Sequence, residues 1–372
     1  MKKKILAVVL TAAMALGLAA CGGAPAKNDG NSAGGTQGAD ASGGENTAGD
    51  DASGGDESTG DAIKIGIVLD VGGVNDGSFN QSSWEGLQRA QAELGVEAQY
   101  LESAGDADYA ANIETFIDEE CDLIICVGYM LADATRTAAE ANPDQKFAII
   151  DDSTCADLPN VACLMFKQEQ ASYLVGYVAG MMTQTNKVGF VLGMANETMN
   201  LFGYGYYAGA IDANPDVQVS GMNANSFADA ETGKSNANAM ITNGADIIFH
   251  AAGGTGLGVI DACKEAGIYA IGVDSDQSKV APETIITSAM KRVDNAVFDM
   301  AQKIKDGTYE SGVITYDLSA GGVDIAPTKD LLTDEVVTKI EEIKQQIIDG
   351  TITVPDSKEA FEAAYGDVYE LD

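Results

Sequence analysis

Histidine is almost missing from this sequence: His250 is the single one in 372 residues. No Cys/His cluster has metal-ligand spacing, and His250, the one candidate imidazole, lies at the end of an apolar strand where a histidine is more often packed than catalytic, so neither a zinc site nor a nucleophile-histidine pair is expected. Basic residues are also scarce, 21 Lys+Arg against 57 Asp+Glu, a formal charge of −36. Such a chain repels polyanions, which argues against nucleic acid as a partner. Long apolar runs are lacking too. The one candidate, Ile5 to Leu18, is too short to span a bilayer comfortably.

That run follows Lys2, Lys3 and Lys4 and ends in Leu18-Ala19-Ala20-Cys21-Gly22. A positive start, a short apolar stretch and small residues before a cysteine resemble a bacterial lipoprotein signal over 1–21. Cys21 would carry the lipid and tie the mature chain to a membrane at the extracytoplasmic face of the cell envelope. The remaining cysteines, Cys121, Cys126, Cys155, Cys163 and Cys263, are an odd set, and several lie in apolar runs. Buried free thiols are expected in place of a disulfide framework.

Residues 22–61 are mostly Gly, Ala, Ser, Asp and Asn. With so little to bury, this segment reads as a disordered tether with a span on the order of 35 Å. From Lys64 the pattern changes. Apolar runs at 64–70, 96–102, 122–128, 146–151 and 161–166 read as strands, and three of them are nearly continuous in Val, Ile and Leu. Continuous runs indicate strands buried on both faces of a parallel sheet. A second set follows at 187–193, 217–223, 245–252, 268–274 and 284–290, with helical spacing between strands in both sets. The fold class is therefore α/β, two doubly wound parallel-sheet lobes in tandem joined by several crossings that form a hinge. The expected division is 62–167 plus about 291–315 for the first lobe and 168–290 plus about 316–372 for the second.

In such sheets ligands bind beyond the carboxyl ends of the strands. Asp70, the 72–80 loop, Asp152, Gly253, Gly254 and Asp274 all follow apolar runs, and two such rims facing each other make a cleft. The 247–259 segment, with Asp274 about 20 residues on, invites a dinucleotide reading. Its glycines fall at Gly253, Gly254, Gly256 and Gly258, and Val259 stands where a third fingerprint glycine is needed. No cofactor is expected.

The segments IGIVLDVGGVNDGSFNQ (65–81), SYLVGYVAGMMT (172–183), SFADAETGK (226–234), FHAAGGTGLGV (249–259), IGVDSDQ (271–277) and TSAMKRVD (287–294) occur in one order along the body. Together they resemble the basic membrane protein family, PnrA-like purine-nucleoside receptor lipoproteins of ABC importers. The resemblance implies a type I periplasmic-binding-protein-like fold, ABC permease and ATPase partners, and adenosine, guanosine or inosine as ligand. It implies a base stacked between Phe79 and Phe227, with Asn80 and Asp152 reading its edges and Asp151 as the alternative alignment. Gly253, Gly254, Asp274 and Lys291 would hold the ribose. Phe202 competes for the second stacking role, and the FGYGYYAG segment at 202–209 is richer in tyrosine than the family leads one to expect. Asp70 and Asp76 are further ligand candidates.

No reaction is required by this reading. A nucleoside-hydrolysing enzyme, built on Asp70 with Asp76 or Asp274 with Asp276, is the alternative from another class. A receptor that presents its ligand to a signalling partner is a third.

Overall fold

The computed structural model describes residues 62–371; the leader, Cys21 and the tether lie outside the described residues. The first lobe runs β1 (Lys64–Val68), α1 (Phe79–Leu94), β2 (Glu97–Leu101), α2 (Asp106–Asp118), β3 (Leu123–Val127), α3 (Ala132–Ala141), β4 (Phe147–Ile150) and β5 (Val161–Phe166). Helix α4 (Gln168–Met182) leads into the second: β6 (Lys187–Leu192), α5 (Glu197–Ala213), β7 (Gln218–Asn223), α6 (Ala230–Thr242), β8 (Ile247–Ala251), α7 (Thr255–Ala266), β9 (Tyr269–Asp274) and β10 (Ile285–Lys291). The chain then returns through α8 (Val293–Lys305), β11 (Gly312–Tyr316), β12 (Val323–Ile325), α9 (Asp334–Ile348) and α10 (Lys358–Tyr365).

Two sheets result, ordered β11-β5-β4-β3-β1-β2 and β12-β10-β9-β8-β6-β7. Every pairing is parallel except β10 with β12. The central strands β3, β4 and β8 are buried at every position, as their unbroken apolar runs require. The edge strand β2, EAQYL, is half exposed along its length. The first five strands of each lobe thus repeat one arrangement, and β11 and β12 occupy equivalent edges, the first parallel and the second antiparallel to its neighbour.

The chain passes between the sheets after β5, after β10 and between β11 and β12. Helix α8 packs on α1 in the first lobe, while α9 and α10 pack on α4 and α5 in the second. The five described cysteines are free and buried, in line with the odd count.

Helices α4 and α5 cross at backbone contact because glycines line both faces. A β-carbon at Gly176 would lie 2.2 Å from the Tyr206 carbonyl oxygen, and one at Gly209 would lie 2.0 Å from that of Tyr173. Of the tyrosines in the 202–209 segment, Tyr206 packs on Phe190 and Phe249 of the sheet, and the other two meet the C-terminal segment. Tyr204 stacks on Phe361 at 5.4 Å and Tyr207 meets Tyr369 edge-on at 5.2 Å, which fastens the C-terminal segment to α5. We predict that Gly209→Val, which forces α4 and α5 apart, costs about 3 kcal/mol or more. Gly105→Ala, whose β-carbon meets nothing within 4 Å, should stay within about 0.5 kcal/mol of the parent. Denaturant unfolding of both variants checks the contrast.

Candidate functional site

Between the strand ends of the two sheets lies a buried cavity. The first lobe contributes Asp70, Asp76, Phe79, Asn80, Gly128, Tyr129 and Asp151; the second contributes Met199, Phe202, Phe227, Ala251, Ala252, Gly253 and Val273. Each lobe therefore supplies an aromatic and a strand-end loop, as the rim rule demands. The space is narrow: about 40 Å³ is open to the centre of a water-sized sphere, room for a few waters. A molecule the size of a nucleoside enters this cavity by parting the lobes or turning side chains.

Asp76 folds the glycine-rich loop back onto α1. Its carboxylate accepts from the backbone N–H groups of Ser78 (2.9 Å), Asn80 (2.9 Å) and Gln81 (3.1 Å), donors that a helix start leaves unsatisfied. This seats Phe79 at the first position of α1 with its ring at the cavity. Asn80 is equally committed. Its amide nitrogen donates to Asp70 Oδ1 (2.7 Å) and Asp76 Oδ2 (3.1 Å), and its oxygen accepts from the Asp70 N–H (3.2 Å). An Asn with both amide hydrogens and its oxygen in use supports the rim rather than offering free groups to a base edge. Asp70 keeps Oδ2 toward Gly128, where a β-carbon would come within 3.3 Å of it.

Asp152 requires a correction. Its carboxylate turns outward and accepts from the Thr154 N–H (2.8 Å) and hydroxyl (2.5 Å), closing a local turn. The neighbouring Asp151 lines the cavity. It adopts φ +66°, a conformation that Asp tolerates better than most residues and that aims its side chain inward. One oxygen of Asp151 accepts from Lys291 Nζ, while Oδ1 is buried without a hydrogen-bond partner. A buried acceptor left unpaired is costly, and a donor on a ligand would satisfy it.

Lys291 sits behind the cavity wall with its ammonium 4.8 Å from the Phe79 ring centre and 5.7 Å from that of Phe202. Asp274, at φ +63°, accepts a hydrogen bond from the Ser78 hydroxyl across the lobes. It lies beside the cavity-lining Val273, on the side of a wider groove. Gly253 lines the cavity, and Gly254 fits between the Phe227 carbonyl and Asp76. Phe202 and Phe227 both reach the cavity, so they share its second-lobe wall. Gly256, part of the broken dinucleotide motif, leaves room for the His250 ring, which a β-carbon would meet at 2.0 Å. The lining residues that the sequence reading missed are Gly128 and Tyr129, which follow β3, Met199 in the first turn of α5, and Ala251, Ala252 and Val273 at the ends of β8 and β9. Tyr129 meets Phe227 edge-on at 6.5 Å across the junction. The strand-end rule that selected Asp70 also applies to Tyr129.

The two sheets with an aromatic-walled, carboxylate-rich cavity at their facing rims match a family model. "ABC transporter substrate-binding protein PnrA-like" describes that model, and it matches residues 63–358. The chain belongs to this family. It is 42% identical over 314 residues to the CD4+ T-cell-stimulating antigen of Listeria monocytogenes, covering 78% of this chain and 88% of that protein. It is 38% identical over 315 residues to the ABC transporter nucleoside-binding protein BmpA of Lactococcus lactis (79% and 89% covered). It is 37% identical over 305 residues to basic membrane protein A of Borreliella burgdorferi (80% and 89%). Among solved structures, an ABC transporter solute-binding protein from Aeropyrum pernix superposes with a TM-score of 0.75 at 27% identity, covering 82% of this chain and 97% of that one. A second, from Conexibacter woesei, has a TM-score of 0.66 at 24% identity, which speaks for the fold.

As a PnrA-like substrate-binding protein the chain operates on the extracytoplasmic side and hands its ligand to permease and ATPase subunits. Its relatives are solute-binding proteins, not enzymes.

The cavity electrostatics give two predictions. Burial raises Asp70 to about 6 and, with Lys291 and Ser78 opposing, Asp274 to about 7. Both exceed the ~3.9 of an unfolded Asp, so the folded chain binds protons more tightly and stability falls as pH rises from about 4 to 7. Asp70→Asn should remove on the order of 1.5 kcal/mol of that fall between pH 5 and pH 7.5, read as the difference between the variant's and the parent's stability at the two pH values. Lys291→Met strands the Asp151 carboxylate and should cost about 3–5 kcal/mol. Adding Asp151→Asn to it should recover part of the loss in the same unfolding measurement.

Proposed function

We propose that the cavity captures a purine nucleoside by lobe closure and that the closed form delivers it to the permease. The observation that carries this reading is the composition of the junction. Phe79 from one lobe and Phe227 from the other line a single cavity, and Phe202 and Tyr129 extend its aromatic wall. Two flat faces of a base ask for plates on opposite sides, which closure of two lobes supplies. Asp70 Oδ2 and the unpaired Asp151 Oδ1 are acceptors for base N–H or ribose O–H groups. In this reading the ribose would lie toward Asp274 and Lys291, which border the cavity without lining it and would serve as acceptor and donor once their present partners are exchanged for ligand groups. The name of the lactococcal relative, a nucleoside-binding protein, points the same way.

The lipid anchor at Cys21 and the tether over 22–61 belong to this proposal. They would hold the receptor near its permease while leaving the lobes free to open and close. Ligand capture then needs no chemistry on the nucleoside, because the energy that closes the lobes comes from burying the flat faces of the base between aromatic rings, with its polar edge re-paired by protein groups.

Mass spectrometry of the small molecule that co-purifies with the unrefolded protein tests the ligand class. An intact nucleoside is expected; free base would favour the hydrolytic alternative, and an unrelated sugar would overturn the reading. Phe79→Ala and Phe227→Ala should each weaken nucleoside binding about tenfold in calorimetry, in keeping with the loss of one stacking face. Unchanged affinity in both would remove the aromatic plates from the site.

A further inference from the structure

The cavity is separated from a wider groove by a seam of contacts between the lobes. Asp76 and Val273 line the cavity, while their chain neighbours Gly77 and Asp274 line the groove, together with Gln277. The groove has a volume of about 780 Å³. Two polar contacts close the seam: the Ser78 hydroxyl donates to Asp274, and Gln277 Nε2 donates to the Gly77 carbonyl at 2.9 Å.

Gln277 is held from three strands of its own lobe. Its Oε1 accepts from the Val273 N–H at 3.0 Å and meets His250 Nε2 at 3.1 Å, and its backbone N–H donates to Ser288 Oγ at 3.2 Å. A β-carbon at Gly272 would fall 2.5 Å from both Gln277 Oε1 and Ser288 Oγ, so this strand position is bare to admit the side chain. With Oε1 committed as an acceptor, His250 carries its proton on Nε2, and burial holds the ring neutral with its pKa near 4. The Val273 N–H thus fixes the amide orientation of Gln277, and the sole histidine supports the same rotamer as a second donor to Oε1. The Gln277 NH₂ group is left facing the first lobe, at the loop that leads into Phe79.

We infer that Gln277 is a preorganised closure latch, positioned by His250 and Ser288, that seals the cavity from the groove without touching the ligand. The inference rests on the two-lobe capture reading but not on the identity of the ligand. A contact made in the closed form alone shifts the open–closed equilibrium, and the fraction of closed receptor scales the apparent affinity. Its loss raises the ligand dissociation rate more than it slows association. The choice among bases stays as it was, because that choice is made inside the cavity.

Gln277→Glu separates latch from scaffold. It preserves an oxygen for His250 and the Val273 N–H but turns a second oxygen, not a donor, toward the Gly77 carbonyl. Gln277→Met keeps the side-chain volume without charge. Small-angle scattering of the unliganded chains and calorimetry with inosine, adenosine and guanosine form the test. Both variants should have a larger radius of gyration than the parent, and should bind nucleoside about tenfold more weakly with the ratios among the three unchanged. Lowering the pH from 7.5 to 5 should narrow the gap between Gln277→Glu and the parent, as the introduced carboxyl regains a proton to donate, and should leave the Gln277→Met gap as it was. Equal scattering and affinity in parent and both variants, or altered base ratios, would overturn the latch. If the parent binds no nucleoside, the proposed ligand fails, and the scattering of the unliganded chains still decides the latch.

Discussion

A single buried cation holds the lobe junction together. Among the described residues Lys291 is the one Lys or Arg side chain that is buried, and Asp70, Asp76, Asp151 and Asp274 are buried near it. Four carboxylates brought out of water around one space would repel each other and forfeit their hydration. Asp76 is relieved by the N–H groups that start α1, and Asp70 by Gly72 and Asn80. The remaining two answer to Lys291, which ion-pairs with Asp151 and lowers the proton affinity of Asp274. Lys291 ends β10 in the second lobe, and Asp151 comes directly after β4 in the first, so their contact exists when the rims meet. The rings of Phe79, Phe166 and Phe202, 4.8 to 5.7 Å from the ammonium, exclude water from the pair.

The duplicated sheet order explains why these charges converge. β4 and β9 hold the same place in their sheets, and Asp151 and Asp274 stand at their carboxyl ends, both with positive φ. Non-glycine residues in that region are sparse and gather where a site over-determines the backbone. β5 and β10 are equivalent in the same way, and each has a lysine at or just past its carboxyl end. Lys167 stays half exposed against Glu169 and Asp356, whereas Lys291 is driven into the junction. One architectural position thus serves the hinge surface in one lobe and the cavity in the other.

This architecture also decides what the sequence could convey. Most of the ten strands of the two sets were legible because each is a compact apolar run bounded by turn residues; the edge strands β2 and β7, which have no buried position, were placed by their spacing within the two repeating sets. β11, equally exposed, and the three-residue β12 follow the repeats and lacked that context. The rim residues Asp70 and Gly253 and the loop that leads into Phe79 could be selected because each follows the carboxyl end of a strand, whereas Phe227 was reached only through the family resemblance. Which of Asp151 and Asp152 faces inward could not, because the answer lies in a left-handed backbone turn that two adjacent aspartates do not announce. Nor could the bonding of Asn80. A residue type shows what a side chain is able to donate or accept, but the loop geometry that uses up those groups is tertiary.

The tyrosine-rich segment at 202–209 carries the same distinction into specificity. Of its aromatics, Phe202 lines the cavity. Tyr204 and Tyr207 grip Phe361 and Tyr369, and the Tyr369 hydroxyl donates to Asn200 Oδ1 at 3.0 Å. Gly203 is bare where a β-carbon would strike the Tyr369 ring at 2.3 Å. Tyr204 and Tyr207 therefore brace α5, the helix that carries Met199 and Phe202, against the C-terminal segment. An unusual composition in this helix is then a change of scaffold that reaches the cavity through Met199 and Phe202. In the proposed nucleoside reading, preference among bases would instead fall to the other lining groups that face a base, Phe79, Tyr129, Asp151 and Phe227 foremost among them.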